Sequence, residues 1–380
     1  MVPFDFQPRT RIVFGPGRID SVGELAAELG RRALVVSDSG IVAAGHVDRA
    51  LDNLRASGLE TALFSDVQEN PTTETVDRGL AVAKDFQPDV LIGLGGGSSM
   101  DCAKGINFLY TNGGRMQDYW GRDKASRPML PAIAAPTTAG TGSETQSFAL
   151  ISDAESHVKM ACGDAKAACR VALLDPTLTV TQPARVTALT GIDAIAHAIE
   201  TFVTNKRTPI SLAFSREAWR LLHDNFALVL NEPENLTARG GMQLGASLAG
   251  LAIENSMLGA AHAAANPLTA NFGLIHGHAV AVMLPHVIRF NGVQCEDWYQ
   301  ELSAAAFSGN GRAESGSAGV AEFVTNLASQ AGLSTNLREC GVEESRLPQL
   351  ADEAAQQWTG GFNPRKVEES SFLELYRSAY

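Results

Sequence analysis

From residue 11 to about residue 176, short apolar runs rich in β-branched residues alternate with stretches whose apolar positions recur every three to four residues. The runs are "RIVF" (11–14), "ALVVSD" (33–38), "TALFSDV" (61–67), "DVLIGLGGG" (89–97), "PAIAAPT" (131–137) and "RVALLDP" (170–176). Strand alternating with helix predicts a parallel sheet covered on both faces. The segment "FALISDAESHVKMA" (148–161) breaks the rhythm with two extended pieces about a polar turn, which predicts a β-hairpin. Beyond residue 180 the pattern is helical, with Ala and Leu at the 3.6-residue period. The expected organisation is therefore an α/β domain over residues 1–180 and an all-α domain over 181–380, with "FSGNGRAESGSAG" (307–319) as a surface loop.

Composition narrows the class of partner. With 30 basic against 42 acidic residues the net charge is −12, and no basic run or aromatic-basic ladder interrupts it. That argues against nucleic acid or an anionic membrane surface and for a small-molecule substrate. The N-terminal "MVPFDFQPRTRIVFGPG" has no basic region followed by a long apolar core, so the expected location is the cytoplasm. Cys102, Cys162, Cys169, Cys295 and Cys340 are scattered, odd in number and form no CxxC, which predicts reduced thiols rather than a disulfide framework.

Three stretches carry candidate chemistry. "GLGGGSSMDCAKG" (93–105) follows an apolar strand and opens a helix, where small residues let backbone N–H groups approach a phosphate. It departs from the G-x-G-x-x-G pattern, because Ser98 stands where the third glycine belongs. Asp38, closing the strand that begins at Ala33, can accept from an adenosine ribose and repel a 2′-phosphate, favouring NAD over NADP; it can equally be a turn residue before Ser39 and Gly40. "PTTAGTGSE" (136–144) offers Thr137, Thr138, Thr141 and Ser143 hydroxyls, again at a strand end.

The helical half holds "GIDAIAHAIE" (191–200). Asp193 and His197, four positions apart, share one helical face, as either a plain stabilising pair or two ligands of one metal ion. Downstream, His262 and His276 lie 14 residues apart with Pro267 between them, so they are expected on two helices or their connecting segment. One carboxylate and three imidazoles suit Fe²⁺ or Zn²⁺ with a position left for a substrate oxygen. Glu200 falls close to the Asp193 face, but a contact with solvent or the other domain is expected rather than with a ligand imidazole. Cys102 has no base nearby in sequence to make it a nucleophile. Trp120, Trp219, Trp298 and Trp358 are expected to be packing residues.

Taken in order, "FGPG", "NPT" (70–72), "GGGSSMDCAKG", "PTTAGTGSE", D-x-x-x-H-A-x-E (193–200), the two histidines, "LPHV" (284–287) and "NPR" (363–365) run end to end along the chain. In this the chain resembles the iron-containing (group III) alcohol dehydrogenases, of the wider dehydroquinate synthase-like group. The resemblance implies a dinucleotide-binding domain, a helical domain, and a cleft between them for NAD(P) and a divalent metal. It places the metal on Asp193, His197, His262 and His276, and cofactor contacts on Asp38, Asn70, Gly95, Gly96, Gly97, Ser98, Ser99, Thr137, Thr138, Thr141, Lys159 and Leu178. It also implies hydride exchange between nicotinamide C4 and a metal-polarised small alcohol or aldehyde, and a homodimer pairing N-terminal strands within residues 4–14.

One position departs from the pattern. Where many relatives carry a proton-relaying histidine, this chain has Asn266, which exchanges no proton at neutral pH. A water chain, or His278, would have to serve instead, or turnover of simple alcohols would be weak; His278 and His286 are otherwise expected to be ordinary packing histidines. Asn266 also keeps open an oxo-acid reductase of the maleylacetate reductase type. A catalytically silent cofactor-binding protein is the remaining alternative, set against the complete ligand set.

Overall fold

The computed structural model describes residues 3–306 and 315–380. The chain divides into two compact units, Gln7–Gln182 and Pro183–Tyr380, the second joined by the N-terminal segment ending at Phe6. The Phe6 ring stands 5.9 Å from Phe214 of that second unit.

The first unit contains β1 (Arg11–Phe14), α1 (Val22–Ala27), β2 (Arg32–Val36), α2 (Ser39–Ala43), α3 (His46–Ala56), β3 (Glu60–Phe64), α4 (Thr73–Phe86), β4 (Val90–Gly95), α5 (Gly97–Asn112), β5 (Gly121–Arg122), β6 (Ala132–Pro136), β7 (Phe148–Ser152), β8 (Lys159–Gly163) and β9 (Val171–Leu174). Six strands form one all-parallel sheet in the order β1-β9-β6-β4-β2-β3. Its strands are continuously apolar because both faces are covered. Leu34, Val36 and Leu91 face one core with Ile106 and Phe108 of α5, while Val35, Val90 and Ile92 face the other with Leu54 of α3. The expected hairpin is present as antiparallel β7 and β8, joined by β5 in a separate three-stranded sheet.

Neighbouring β4 and β6 end together, Gly95 opposite Pro136, while β2 stops earlier, with Val36 opposite Gly93. The strands stop earlier than the apolar runs suggest, leaving Asp38 and Thr137 outside them, in the loops beyond the sheet.

The second unit is helical: α6 (Ala184–Val203), α7 (Pro209–Asn231), α8 (Leu236–Glu254), α9 (Ala260–Phe272), α10 (His276–Ala306), α11 (Gly316–Gln330), α12 (Leu347–Ala355) and α13 (Glu369–Ser378). α6 is apolar enough by length and composition to cross a bilayer, yet it is the buried centre of this unit and carries Asp193, His197 and Glu200. α10 is broken at Cys295, whose φ of −132° and ψ of 41° are not helical.

His262 and His276 stand on two helices, α9 and α10, as expected, but the break between them is not at Pro267: α9 runs through that residue, giving up one bond to the carbonyl four residues back, and ends at Gly273, where φ is +63°. Of the expected loop 307–319, residues 307–314 lie outside the described residues, and Gly316 to Gly319 already belong to the first turn of α11.

Candidate metal and nucleotide sites

In the helical unit, α6, α9 and the start of α10 bring Asp193, His262 and His276 to one point, with His197 beside Asp193 but outside that mutual cluster. His262 Nε2 lies 3.3 Å, His197 Nε2 3.4 Å and His276 Nε2 3.7 Å from the same atom, Asp193 Oδ1. Ligand atoms of Asp193, His262 and His276 all fall within 4.8 Å of one another, and the His197 ring stacks on His262 with centroids 4.8 Å apart. Three imidazole nitrogens turned to one carboxylate oxygen are the donor set of a tetrahedral or five-coordinate Fe²⁺ or Zn²⁺, so the residues fit a divalent metal. His276 is 32 % exposed at its side chain and Asp193 9 %, so the site is approached from the His276 side.

Close packing produces this convergence. Gly277, next to His276, sits so near α6 that a Cβ there would be 2.3 Å from the Leu189 carbonyl oxygen. Only glycine lets the first turn of α10 come within reach of Asp193. Burial alone would raise the Asp193 carboxyl, but His197, His262 and His276 outweigh it and hold the group well below the usual carboxylate range. For His262 burial works downward, yet Glu200 and Asp193 together push it up to about 9.

Glu200 is a correction to the sequence reading. It is buried, with Oε2 2.5 Å from His262 Nδ1 and Oε1 accepting from the Ala261 N–H at 2.7 Å. One turn beyond His197 is too far to reach the Asp193 point on its own helix, but it is the height at which α9 passes. Asn363, from the "NPR" motif, accepts from the Ala260 N–H at 3.3 Å and pairs with Asn291.

Asn266, one turn after His262, donates to Gln357 Oε1 at 2.9 Å. This amide pair, which the sequence did not reveal, stands where the resemblance leads one to expect an imidazole. His278 does not replace it: Nε2 lies 2.9 Å from the Ser334 carbonyl oxygen, on which it is satisfied. His286 pairs with Ser378, and burial pushes it down to about 4. Trp219 is fully buried and Trp298 lies under Arg207, whereas Trp120 and Trp358 are about half exposed.

In the α/β unit the glycine turn joins β4 to α5, a 16-residue helix whose start, at Gly96, has no side-chain cap. Its first N–H groups are thus open to an anion. Gly95 has φ +150°, a conformation reserved for glycine, and a Cβ there would lie 2.4 Å from Ser99 Oγ and 3.2 Å from Asp38 Oδ2. A Cβ on Gly96 would approach Thr138 at 3.4 Å, and one on Gly97 Thr141 at 2.7 Å. Thr137 N–H donates to the Gly95 carbonyl at 2.9 Å. Asn70 N–H donates to Ser98 Oγ at 3.2 Å, and Lys159 Nζ to Asn70 Oδ1 at 3.1 Å. Asp38 caps α2 through the Gly40 and Ile41 N–H groups and accepts from Ser99 Oγ at 3.3 Å. Eleven of the twelve expected cofactor residues thus form one connected rim; the twelfth, Leu178, is fully buried in the core behind the sheet.

A further pair escaped the sequence reading. Lys104, 2 % exposed, donates from Nζ to the carbonyls of Ser143, Gln146 and Phe148 and to Ser143 Oγ at 2.6 to 2.9 Å. Asp101 accepts from Ser143 Oγ at 2.6 Å, so α5 holds the end of the threonine loop in place. The signal was a charged i, i+3 pair inside an otherwise apolar helix. All five cysteines are free, four of them buried, and burial pushes the Cys102 thiol far up, which removes it as a nucleophile.

A family model described as iron-containing alcohol dehydrogenase matches residues 8–176, and the family's C-terminal model matches residues 187–380. The chain is 35 % identical over 383 residues to a 1,3-propanediol dehydrogenase of Klebsiella pneumoniae, covering 99 % of both chains. It is 33 % identical to an NAD-dependent methanol dehydrogenase of Bacillus methanolicus, covering 97 % of both. A crystal structure of a 1,3-propanediol oxidoreductase matches with a TM-score of 0.94 at 34 % identity, covering 100 % of each chain. With both units matched in this way, the chain belongs to the iron-containing alcohol dehydrogenase family.

Proposed function

We propose that this protein interconverts a small alcohol and its aldehyde with NAD as the hydride carrier: alcohol and NAD⁺ give aldehyde, NADH and a proton. The observation that carries the reading is the turning of His197, His262 and His276 Nε2 toward the single Asp193 Oδ1. A divalent metal held there, Fe²⁺ or Zn²⁺, supplies Lewis acidity to the substrate oxygen. The chain's own residues do the rest. Asp193 and the three histidines would hold that metal, and the Gly95–Ser99 turn with Thr138 and Thr141 seats the pyrophosphate at the start of α5. Asp38, just beyond the end of β2, supports NAD over NADP by charge repulsion of a 2′-phosphate. Asn266, which donates to Gln357, does not take the proton, because its amide has no titrating group near neutrality.

Relatives named for 1,3-propanediol, methanol and lactaldehyde support a small alcohol or aldehyde as substrate. The free cysteines support a reducing compartment such as the cytoplasm. A homodimer through the N-terminal strand is supported by β1, which is an edge strand with Phe14 41 % exposed. The test is NADH formation by anaerobically metal-loaded protein over a panel of short alcohols, diols and hydroxy acids, with the aldehydes in reverse. No hydride transfer with any of them rejects the proposal, and oxo-acid reduction that survives exhaustive chelation replaces it with the maleylacetate reductase type that Asn266 keeps open.

A further inference from the structure

Glu200 makes two contacts that point in different directions. Oε2 lies 2.5 Å from His262 Nδ1, and Oε1 accepts from the Ala261 N–H at 2.7 Å in the first turn of α9. Gly259 makes room for this approach, since a Cβ there would stand 3.0 Å from both Glu200 Oε1 and Asn363 Oδ1. An ionised carboxylate only accepts, so the hydrogen between the two groups sits on Nδ1 of His262. The far nitrogen, Nε2, is then the one that faces Asp193 Oδ1, 3.3 Å away, and it is the position at which a proton gives way to a metal ion.

We propose that Glu200 is a positioning residue: it holds His262 in the tautomer and orientation that a metal ligand requires, and it does so by anchoring the turn of α9 on which His262 stands. The inference rests on the metal-dependent reading above. α6 thereby serves the site twice, with Asp193 at the convergence point and Glu200 seven residues on, gripping the neighbouring helix. The negative charge at the start of α9 also faces the positive end of that helix. A neutral amide of the same size cannot do both jobs. If its oxygen accepts from Ala261, its NH₂ faces Nδ1 and drives the imidazole hydrogen to Nε2, where a metal must bind. If its oxygen turns to His262, the NH₂ meets the Ala261 N–H, donor against donor.

The test compares the wild type with Glu200→Gln and with Asn363→Ala, which removes the other acceptor on the same helix end without touching His262. The readouts are Zn²⁺ affinity by chelator competition and thermal unfolding of the metal-free protein. We expect Glu200→Gln to weaken Zn²⁺ binding about 10- to 100-fold, and Asn363→Ala to lower the melting temperature while leaving Zn²⁺ affinity within about threefold. Should Glu200→Gln not fold, Glu200→Asp gives the same comparison, its shorter arm being unable to span both contacts. Wild-type-like Zn²⁺ affinity in the Glu200 variant overturns the inference. So does an equal loss in both variants, which would reduce Glu200 to a helix anchor. A wild type that binds no Zn²⁺ or Fe²⁺ overturns the metal reading itself, a separate and earlier failure.

Discussion

Gly277→Ala tests how the site is assembled. The added Cβ would lie 2.3 Å from the Leu189 carbonyl oxygen and 2.9 Å from its carbon. Ordinary van der Waals contact begins at 3.4 Å, so the shortfall at the oxygen is 3.4 − 2.3 = 1.1 Å. That oxygen belongs to the backbone of buried α6 and cannot rotate away. The start of α10 must retreat by about 1 Å, taking His276 with it, and His276 Nε2 already stands 3.7 Å from Asp193 Oδ1. Overpacking of this kind costs about 1–3 kcal/mol. For a unit of this size that lowers the melting temperature by about 2–12 °C. A ligand displaced by 1 Å from a bond of about 2 Å weakens metal binding, and a misplaced reacting group loses about a hundredfold in rate. The assay is thermal unfolding with Zn²⁺ competition and alcohol-dependent NADH formation. Gly361→Ala serves as control, because a Cβ there meets nothing within 4 Å. If Gly277→Ala matches that control in all three, the close approach of α6 and α10 does not build the site.

Protonation gives a second prediction. His262 is held at about 9 in the metal-free protein against an ordinary 6.5. A raised histidine stabilises the fold fully below 6.5 and loses that contribution as pH climbs through 9, so the metal-free melting temperature should fall over this window, as a calorimetric pH series would show. Because a proton on His262 competes with the cation, Zn²⁺ affinity should rise up to about pH 9; a flat profile contradicts the coupling. Asp38→Asn keeps an acceptor for the α2 cap but drops the charge, and should improve NADPH use relative to NADH about tenfold or more in steady-state kinetics. Gly95→Ala, at φ +150°, should weaken NAD⁺ binding about tenfold or more by calorimetry while Zn²⁺ affinity stays unchanged.

Much of the fold was legible in the chain itself, for physical reasons that also explain the parts that were not. Strands buried on both faces write themselves as apolar runs, and glycine turns at their ends announce close backbone approach, so the sheet and the rim around Gly95 could be read directly. The ends of β2 and β6 could not, because the pairing runs out just beyond Val36 and Pro136, with last bonds from Ser37 and Thr137, whatever the hydropathy of the next residues. Spacing revealed Asp193 and His197 but misjudged Glu200, since its partner is an imidazole on another helix. Pro267 drew attention as a breaker, yet tertiary packing carries α9 through it and Gly273 makes the break. Gln357 was invisible for the same reason as Glu200, its donor lying 91 residues away along the chain, and Lys104 left only its i, i+3 pairing with Asp101 as a sign of acceptors 39 residues away.

The most direct measurement is the metal content of anaerobically purified protein beside its Asp193→Ala and His262→Ala variants. We predict about one Fe or Zn per wild-type chain, and its loss in both variants together with alcohol-dependent NADH formation. A wild type that holds no metal and still transfers hydride at full rate would contradict the account.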